Sequence, residues 1–136
     1  VSYSDDPPCF LAGTMIETDQ GIIPVETVTT KNTINGYQVS RITKCPTKNN
    51  FILIKKNAFG ENRPNVDTIS TKQHGIYVND TDEEFVRLIN LVNGDTVVKV
   101  EMDRSLVYNI GLEGVHSYMK ANNLKVETLI PSHRGW

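Results

Sequence analysis

The sequence predicts an all-β domain built from many short strands. Its candidate strands are short runs rich in Val, Ile, Thr, Tyr and Phe, and clusters of Asn, Gly, Asp and Pro separate them. Helical periodicity is weak along the chain. The 136 residues, of which 38% are hydrophobic and 22% charged, suffice for one domain with a modest core.

The first two predicted strands form a ribbon with a tight turn. Thr14–Thr18 alternates between polar and apolar residues, Asp19-Gln20-Gly21 turns the chain, and Ile22–Glu26 follows as the second strand. Further strands are expected at Tyr37–Thr43, Phe51–Lys55, Asp67–Ser70, Gly75–Val78, Thr96–Met102, Leu106–Leu112 and Ser117–Lys120.

The best candidate for a helix is Asp82–Val92, in which four apolar residues recur at helical spacing. The Asn93-Gly94 pair behind it is equally typical of a tight turn after a strand. Both interpretations are open on the sequence alone.

Charge and hydropathy exclude several classes of partner. Fourteen Lys and Arg against sixteen Asp and Glu give a net charge of −2, and no basic block is present, so we expect no nucleic-acid partner. No apolar run approaches the roughly 18 residues that a membrane span needs, so no membrane partner is expected. We also expect a monomer.

The cysteine content indicates neither a disulfide framework nor a zinc site. Cys9 and Cys45 are the two cysteines, and no CxxC or His/Cys cluster accompanies them. We therefore expect no metal and no cofactor. A single Cys9–Cys45 bridge stays open for an oxidising compartment, and the sequence does not indicate the compartment.

Three stretches carry residues with chemical potential. The first, Cys9–Glu26, opens with a cysteine, contains a Gly-Thr pair and ends in a Gly-x-x-Pro-Val-Glu turn. The second, Ile69–His74, contains a Thr-x-x-His pattern. The third, Val107–Thr128, begins Val-Tyr-Asn and carries a histidine at a strand turn.

In their order and spacing these stretches resemble the Hedgehog/intein (Hint) superfamily, from Cys9 to about Leu129. The similarity is greatest to non-splicing bacterial or viral Hint domains. The resemblance implies a compact, horseshoe-like all-β fold of many short strands. It divides the chain into an upstream flanking segment (1–8), a Hint domain (9–130) and a C-terminal tail (131–136). Since the chain begins without Met, we interpret it as part of a longer protein.

The chemistry of the first stretch follows from the position of Cys9. Its thiol lies one residue from the carbonyl of Pro8, so an N–S acyl shift would convert the Pro8–Cys9 amide into a thioester. This reaction needs the thiol deprotonated, the leaving nitrogen protonated and the oxyanion stabilised. His74 fits the acid–base role, and the Thr71 hydroxyl would polarise the scissile amide. The resemblance implies the same roles.

Each of these residues also fits a purely structural role. Cys9 is a typical buried small residue, His74 a strand-end histidine, and Thr71 a β-branched residue that caps a turn. The resemblance gives His116 a part in C-terminal steps, although it also suits a turn. Asp67 is an acid near the Thr-x-x-His strand and fits an exposed strand edge better than activation of a nucleophile. Cys45 has no counterpart in the family and is interpreted as structural.

The sequence departs from splicing inteins at its end. Where those proteins have the asparagine that cyclises, this chain reads Val126-Glu127-Thr128-Leu129, and neither Glu nor Thr forms a succinimide. Splicing is therefore not expected. Asn122-Asn123 lies at a family turn, and asparagine tolerates the left-handed conformation that a turn requires. The bulk of Pro8 would slow attack by Cys9, and no sterol-binding region supports cholesterol transfer.

The predicted function is single-turnover, cysteine-dependent self-cleavage. Its partners are the upstream polypeptide and an acyl acceptor, either water or a small nucleophile. The alternative is an inactive Hint-fold module with a structural or binding role, and a cysteine hydrolase acting on other proteins is less well supported. Since the acyl shift needs close approach, we expect the strands of the second and third stretches to pair as neighbours beside Cys9.

Overall fold

The computed structural model describes residues 8–47 and 51–130, Thr47 by its backbone only. Within these residues the chain forms two antiparallel sheets, and their strands are β1 (Phe10–Leu11), β2 (Met15–Thr18), β3 (Gly21–Pro24), β4 (Thr33–Ile34), β5 (Tyr37–Thr47), β6 (Phe51–Ile54), β7 (Thr68–Thr71), β8 (Gly75–Ile76), β9 (Val86–Arg87), β10 (Val97–Val100), β11 (Ser105–Leu112), β12 (Tyr118–Ala121) and β13 (Leu124–Glu127). The prediction of an all-β fold of many short strands is confirmed.

The first sheet places the start of the domain at its centre. Its strand order is β10-β6-β7-β1-β11-β5-β4. Phe10 of β1 lies opposite Ser70 of β7 on one side and Tyr108 of β11 on the other, and Leu11 lies opposite Val107. A strand of two residues can occupy this position because both neighbouring strands are longer and pair with its backbone.

The second sheet has the order β3-β2-β12-β13-β8-β9. It contains the predicted ribbon, in which Met15–Thr18 pairs with Gly21–Pro24. At the predicted turn between β12 and β13, Asn122 and Asn123 have φ values of 48° and 67°, so the expectation of left-handed asparagines there is confirmed. Asn122 also ties this turn to the first stretch, because its Oδ1 accepts the Met15 N–H at 2.9 Å.

Two expectations about local structure are wrong. Asp82–Val92 is neither an α-helix nor one strand, because it divides into β9 and a 3₁₀ helix at Leu88–Leu91. A second 3₁₀ helix spans Val25–Thr27. The strands of the second and third stretches do not pair with each other, since β1 lies between them. β1, β4 and β13 were not predicted as strands. β1 and β4 have two residues each and follow from pairing rather than from sequence pattern.

A hydrophobic core fills the space between the sheets, and a smaller apolar cluster surrounds the start of the domain. The main core contains Phe10, and the smaller cluster contains Cys9, Phe51 and Val107. Phe10 thus enters the main core, whereas its neighbours Cys9 and Leu11 lie in or against the smaller cluster, because side chains of an extended segment point alternately to opposite faces. In the described residues, no helix is long and apolar enough to cross a membrane.

Candidate active site

The peptide bond between Pro8 and Cys9 is buried at the entry to β1. Pro8 is buried and Cys9 has no exposed surface. Because β7 and β11 flank β1, groups from the second stretch and groups from the third stretch reach this peptide from opposite sides. β7 and β11, which we expected to pair with each other, therefore both lie beside the segment at Cys9 without pairing directly.

Thr71 contacts the nitrogen side of the peptide. Its Oγ1 accepts the Cys9 N–H at 3.0 Å in a buried hydrogen bond. Thr71 holds this place because it ends β7 and its own backbone N–H donates to the Cys9 carbonyl at 3.0 Å. The Thr71 hydroxyl therefore contacts the scissile amide, and its role in a reaction stays a prediction.

Asn109 contacts the carbonyl side of the same peptide. Its Nδ2 donates a short, buried hydrogen bond to the Pro8 carbonyl oxygen. The amide is oriented by its other end, since Oδ1 accepts the Ile110 N–H at 2.8 Å. An acceptor already bonded at Oδ1 leaves Nδ2 to face Pro8. A donor fixed on this oxygen would stabilise the negative charge that develops there during nucleophilic attack.

Further hydrogen bonds fix the backbone on the downstream side of Cys9. Ser70 Oγ donates to the Cys9 carbonyl oxygen at 2.8 Å, beside the bond from the Thr71 N–H to that oxygen. Cys9 is therefore held at its nitrogen and at its carbonyl oxygen, while Pro8 is held at its oxygen. Such anchoring restricts the scissile peptide to one orientation.

His74 is buried next to the same segment. Its ring packs on the Phe10 ring with centroids 4.3 Å apart, and its Nε2 lies 3.0 Å from the Glu127 carbonyl oxygen. A carbonyl accepts only, so Nε2 carries the hydrogen of the neutral ring and Nδ1 has the lone pair. Nδ1 makes no hydrogen bond in the described part of the chain, although the Cys9 backbone is close enough to affect the ring.

Burial determines the charge state of His74. It lowers the pKa of the imidazole from its ordinary 6.5 to about 4, against smaller raising contributions from Glu127 and from the Cys9 backbone. His74 is thus neutral at neutral pH, with the Nδ1 lone pair available as a proton acceptor. It acts as an acid only after Nδ1 has taken up a proton.

The Cys9 thiol lies in a different environment from His74. Its Sγ is 4.0 Å from Thr43 Oγ1 of β5, and Cys45, two residues further along β5, packs against the same apolar cluster. Burial raises the pKa of the Cys9 thiol well above its ordinary value, and the interaction with Cys45 raises it further. Both cysteines are free thiols.

His116 belongs to a second polar cluster, which is organised around Glu127. The buried Glu127 carboxylate accepts from Arg87 Nη1 at 2.5 Å, from the Gly75 N–H at 2.8 Å and lies 3.0 Å from His116 Nε2. No hydrogen bond within the described residues joins His116 to Pro8 or Cys9. The cluster lies at the end of β13, and His116 contacts Glu127 there rather than the Pro8–Cys9 peptide.

The structure therefore brings Pro8, Cys9, Thr71 and His74 together and places His116 elsewhere. Asp67 contacts neither group: its Oδ1 accepts the Lys56 N–H at 2.8 Å in an exposed turn. Among the described residues no cluster of His, Cys, Asp or Glu has the arrangement of a metal site.

Sequence reasoning missed three contacts with the reacting residues. Asn109 was part of the Val-Tyr-Asn pattern but received no role, Ser70 precedes the Thr-x-x-His pattern, and Cys45 was interpreted as structural. The signal that identifies them is strand register, because Asn109 reaches Pro8 and Cys45 reaches the cluster of Cys9 only when β11 lies beside β1 and β5 beside β11. A single sequence does not contain this register.

Comparisons with known proteins identify the family and the fold. A family model described as a Hint domain matches residues 8–133. The fold is similar to the solution structure of a bacterial intein-like domain from Clostridium thermocellum, with a TM-score of 0.65, 18% identity, and coverage of 90% of this chain and 98% of that one. It is also similar to the crystal structure of a DnaB intein from Synechocystis sp. PCC 6803, with a TM-score of 0.60, 16% identity, and coverage of 91% and 100%. None of the curated proteins compared with the chain matches it.

Proposed function

The chain belongs to the Hint domain family, and from this premise we propose that it cleaves the bond before Cys9 through a thioester and does not splice. Membership makes it an autoprocessing or splicing-related domain. The proposal of cleavage through a thioester rests on two hydrogen bonds to the Pro8–Cys9 peptide. Asn109 donates to the Pro8 oxygen, and Thr71 accepts from the Cys9 nitrogen.

The reaction begins when the Cys9 thiolate attacks the carbonyl carbon of Pro8. A C–S bond forms, and the carbonyl electron pair moves onto the oxygen, where Asn109 Nδ2–H stabilises it. The C–N bond then breaks and its electron pair goes to the Cys9 nitrogen. That nitrogen takes a proton by way of His74 Nδ1, which leaves an α-amine on Cys9 and the upstream segment as a thioester on its sulfur.

The second step releases the upstream segment. Water or a small nucleophile attacks the thioester carbonyl, the C–S bond breaks, and Cys9 leaves as a thiolate. His74 Nδ1 accepts a proton while the ring is neutral and donates one after it has taken it up, so the same nitrogen serves either direction of proton transfer.

The absence of splicing rests on the end of the domain. Glu127 and Thr128 stand where a cyclising asparagine would be needed, and both are buried. The Glu127 carboxylate is held by Arg87 and Gly75, and a carboxylate does not provide the amide nitrogen from which a succinimide forms. We therefore assign the cluster around Glu127 a role in folding and not in cleavage.

The test is an incubation of the full chain with hydroxylamine or a thiol, followed by intact-mass measurement. The expected result is loss of the segment Val1–Pro8, faster at about pH 8.5 than at about pH 6 because more thiolate is then available. Cys9→Ala is the matched control and should show no loss. If the folded wild-type chain keeps its mass over several days, the complete burial of Cys9 would favour the second candidate, an inactive Hint-fold module.

A further inference from the structure

We propose that Cys45 is the base that accepts the proton of the Cys9 thiol, an inference that rests on the proposed self-cleavage. The need for such a base arises from the burial of Cys9. A thiol without exposed surface cannot lose its proton directly to bulk water, and its apolar surroundings disfavour the thiolate.

His74 is poorly placed for this task. Phe10 packs on the His74 ring, and successive side chains of a strand point to opposite faces. The Cys9 side chain therefore points away from His74, which agrees with its membership of a cluster that does not contain Phe10. The His74 ring interacts with the Cys9 backbone, and the sulfur needs another partner.

Cys45 lies on the face to which the Cys9 sulfur points. Asn109 of β11 pairs with Thr43 of β5, and Val107 pairs with Cys45, so Thr43 and Cys45 share a face of β5. The Cys9 Sγ is within 4.0 Å of Thr43 Oγ1 on that face, and Cys45 packs against the Cys9 cluster. Cys45 is partly exposed, so of the two thiols it is the one whose negative charge water can solvate.

The apolar side chains packed with the two thiols are Leu11, Phe51, Ile69, Val100, Met102 and Val107. Thr43 is the hydroxyl in contact with Cys9, and a hydroxyl is a far weaker base than a thiolate. The pKa of Cys45 is lowered to about 7 by its interaction with Cys9, so about half of it is thiolate at neutral pH.

A disulfide is not the favoured role for this pair. β11 lies between β1 and β5, which separates the two backbones by two strand spacings, roughly 9–10 Å. A disulfide requires Cα atoms within about 7 Å. A proton, in contrast, needs only the two sulfur atoms to approach, and Cys45 packs against the cluster that contains Cys9.

The step is balanced as follows. The Cys45 thiolate takes the Cys9 S–H proton, the Cys9 thiolate attacks Pro8, and Cys45 returns the proton to solvent through its exposed side. The Cys9 nitrogen takes up one proton from solvent by way of His74 Nδ1. The net change is transfer of one proton from the Cys9 sulfur to the Cys9 nitrogen, with water as carrier.

The first experiment measures the rate of cleavage by hydroxylamine against pH for the full chain, for Cys45→Ala and for Lys44→Ala. Lys44 is the exposed neighbour of Cys45 on β5, so Lys44→Ala controls for disturbance of the strand and should cleave like wild type. Loss of a general base should slow Cys45→Ala by roughly 10²-fold or more at neutral pH. The wild-type rate should level off above about pH 7, whereas the Cys45→Ala rate should continue to rise. Equal rates and equal pH profiles, with folding checked by circular dichroism, would overturn the proposal.

The second experiment does not depend on cleavage. The ¹³Cβ shift of Cys45 is followed by NMR from about pH 5 to pH 10 in the Cys9→Ala chain and, for comparison, in the wild type. The Cys45 pKa should rise from about 7 towards the ordinary value when Cys9 is removed. An unchanged pKa would refute the proton coupling. A wild type that does not cleave at all refutes the proposed function, and the titration then still decides whether Cys45 and Cys9 share a proton.

Discussion

The buried His74 should lower the free energy of unfolding of this domain at acidic pH, and a substitution of His74 should remove this effect. Its pKa is about 4 in the folded chain and 6.5 ordinarily, chiefly because burial penalises the charged ring. The unfolded chain therefore binds a proton at this position over a pH range in which the folded chain does not. Stability contributed by His74 is complete above about pH 6.5 and is lost as the pH falls towards 4.

The size of the effect follows from the two pKa values. Between pH 7 and pH 4.5 the unfolded state gains about three quarters of a proton, while the folded state gains about a quarter of one. Integration of the difference gives a loss of roughly 2.5 kcal/mol in the free energy of unfolding. This is a large fraction of the stability of an ordinary domain, which is about 5–15 kcal/mol.

The comparison that isolates His74 uses His74→Gln. The Gln amide can still donate to the Glu127 carbonyl oxygen, which His74 Nε2 bonds at 3.0 Å, but it does not titrate. Urea unfolding at pH 7 and pH 4.5 should show that wild type loses roughly 2.5 kcal/mol more than His74→Gln. His116 and the carboxylates are common to both chains and cancel. If both chains lose the same free energy, His74 is not buried and neutral as described.

Three further predictions concern the rate of hydroxylamine-induced cleavage, with folding verified for each variant. His74→Gln should cleave ~10²–10⁴-fold more slowly because it cannot carry a proton to the Cys9 nitrogen, and a wild-type rate would show that His74 is not the group that delivers this proton. Asn109→Leu, similar in volume but without a donor, should cost ~10²–10³-fold through loss of the bond to the Pro8 oxygen; a rate within twofold of wild type would show that this bond is absent from the transition state. Thr71→Ala should slow cleavage only about threefold to tenfold, as expected for one neutral hydrogen bond of 0.5–1.5 kcal/mol, and Thr71→Ser should restore the rate, so failure of Ser to restore it would indicate that the methyl group matters instead.

Much of the fold was predictable because strand-forming segments and turns are local features. The ribbon from Met15 to Pro24 formed as predicted, since alternation and a turn specify it within ten residues. The Asn122–Asn123 turn was predictable for the same reason. The segment Asp82–Val92 was not, because its apolar spacing fits helix and strand equally, and packing resolved it into a short strand and a 3₁₀ helix.

The sequence by itself determined the candidate nucleophile, the motif that carries Thr71 and His74, the all-β class and the absence of a cyclising asparagine. These depend on residue identity and on short spacings. The tertiary structure alone decided which groups touch the scissile peptide. Asn109 is 101 positions from Pro8, and Cys45 packs against the cluster of Cys9 although β11 lies between β1 and β5. Such contacts depend on the pairing of β1 with β7 and β11, and that pairing follows from long-range register and core packing, which no local pattern encodes.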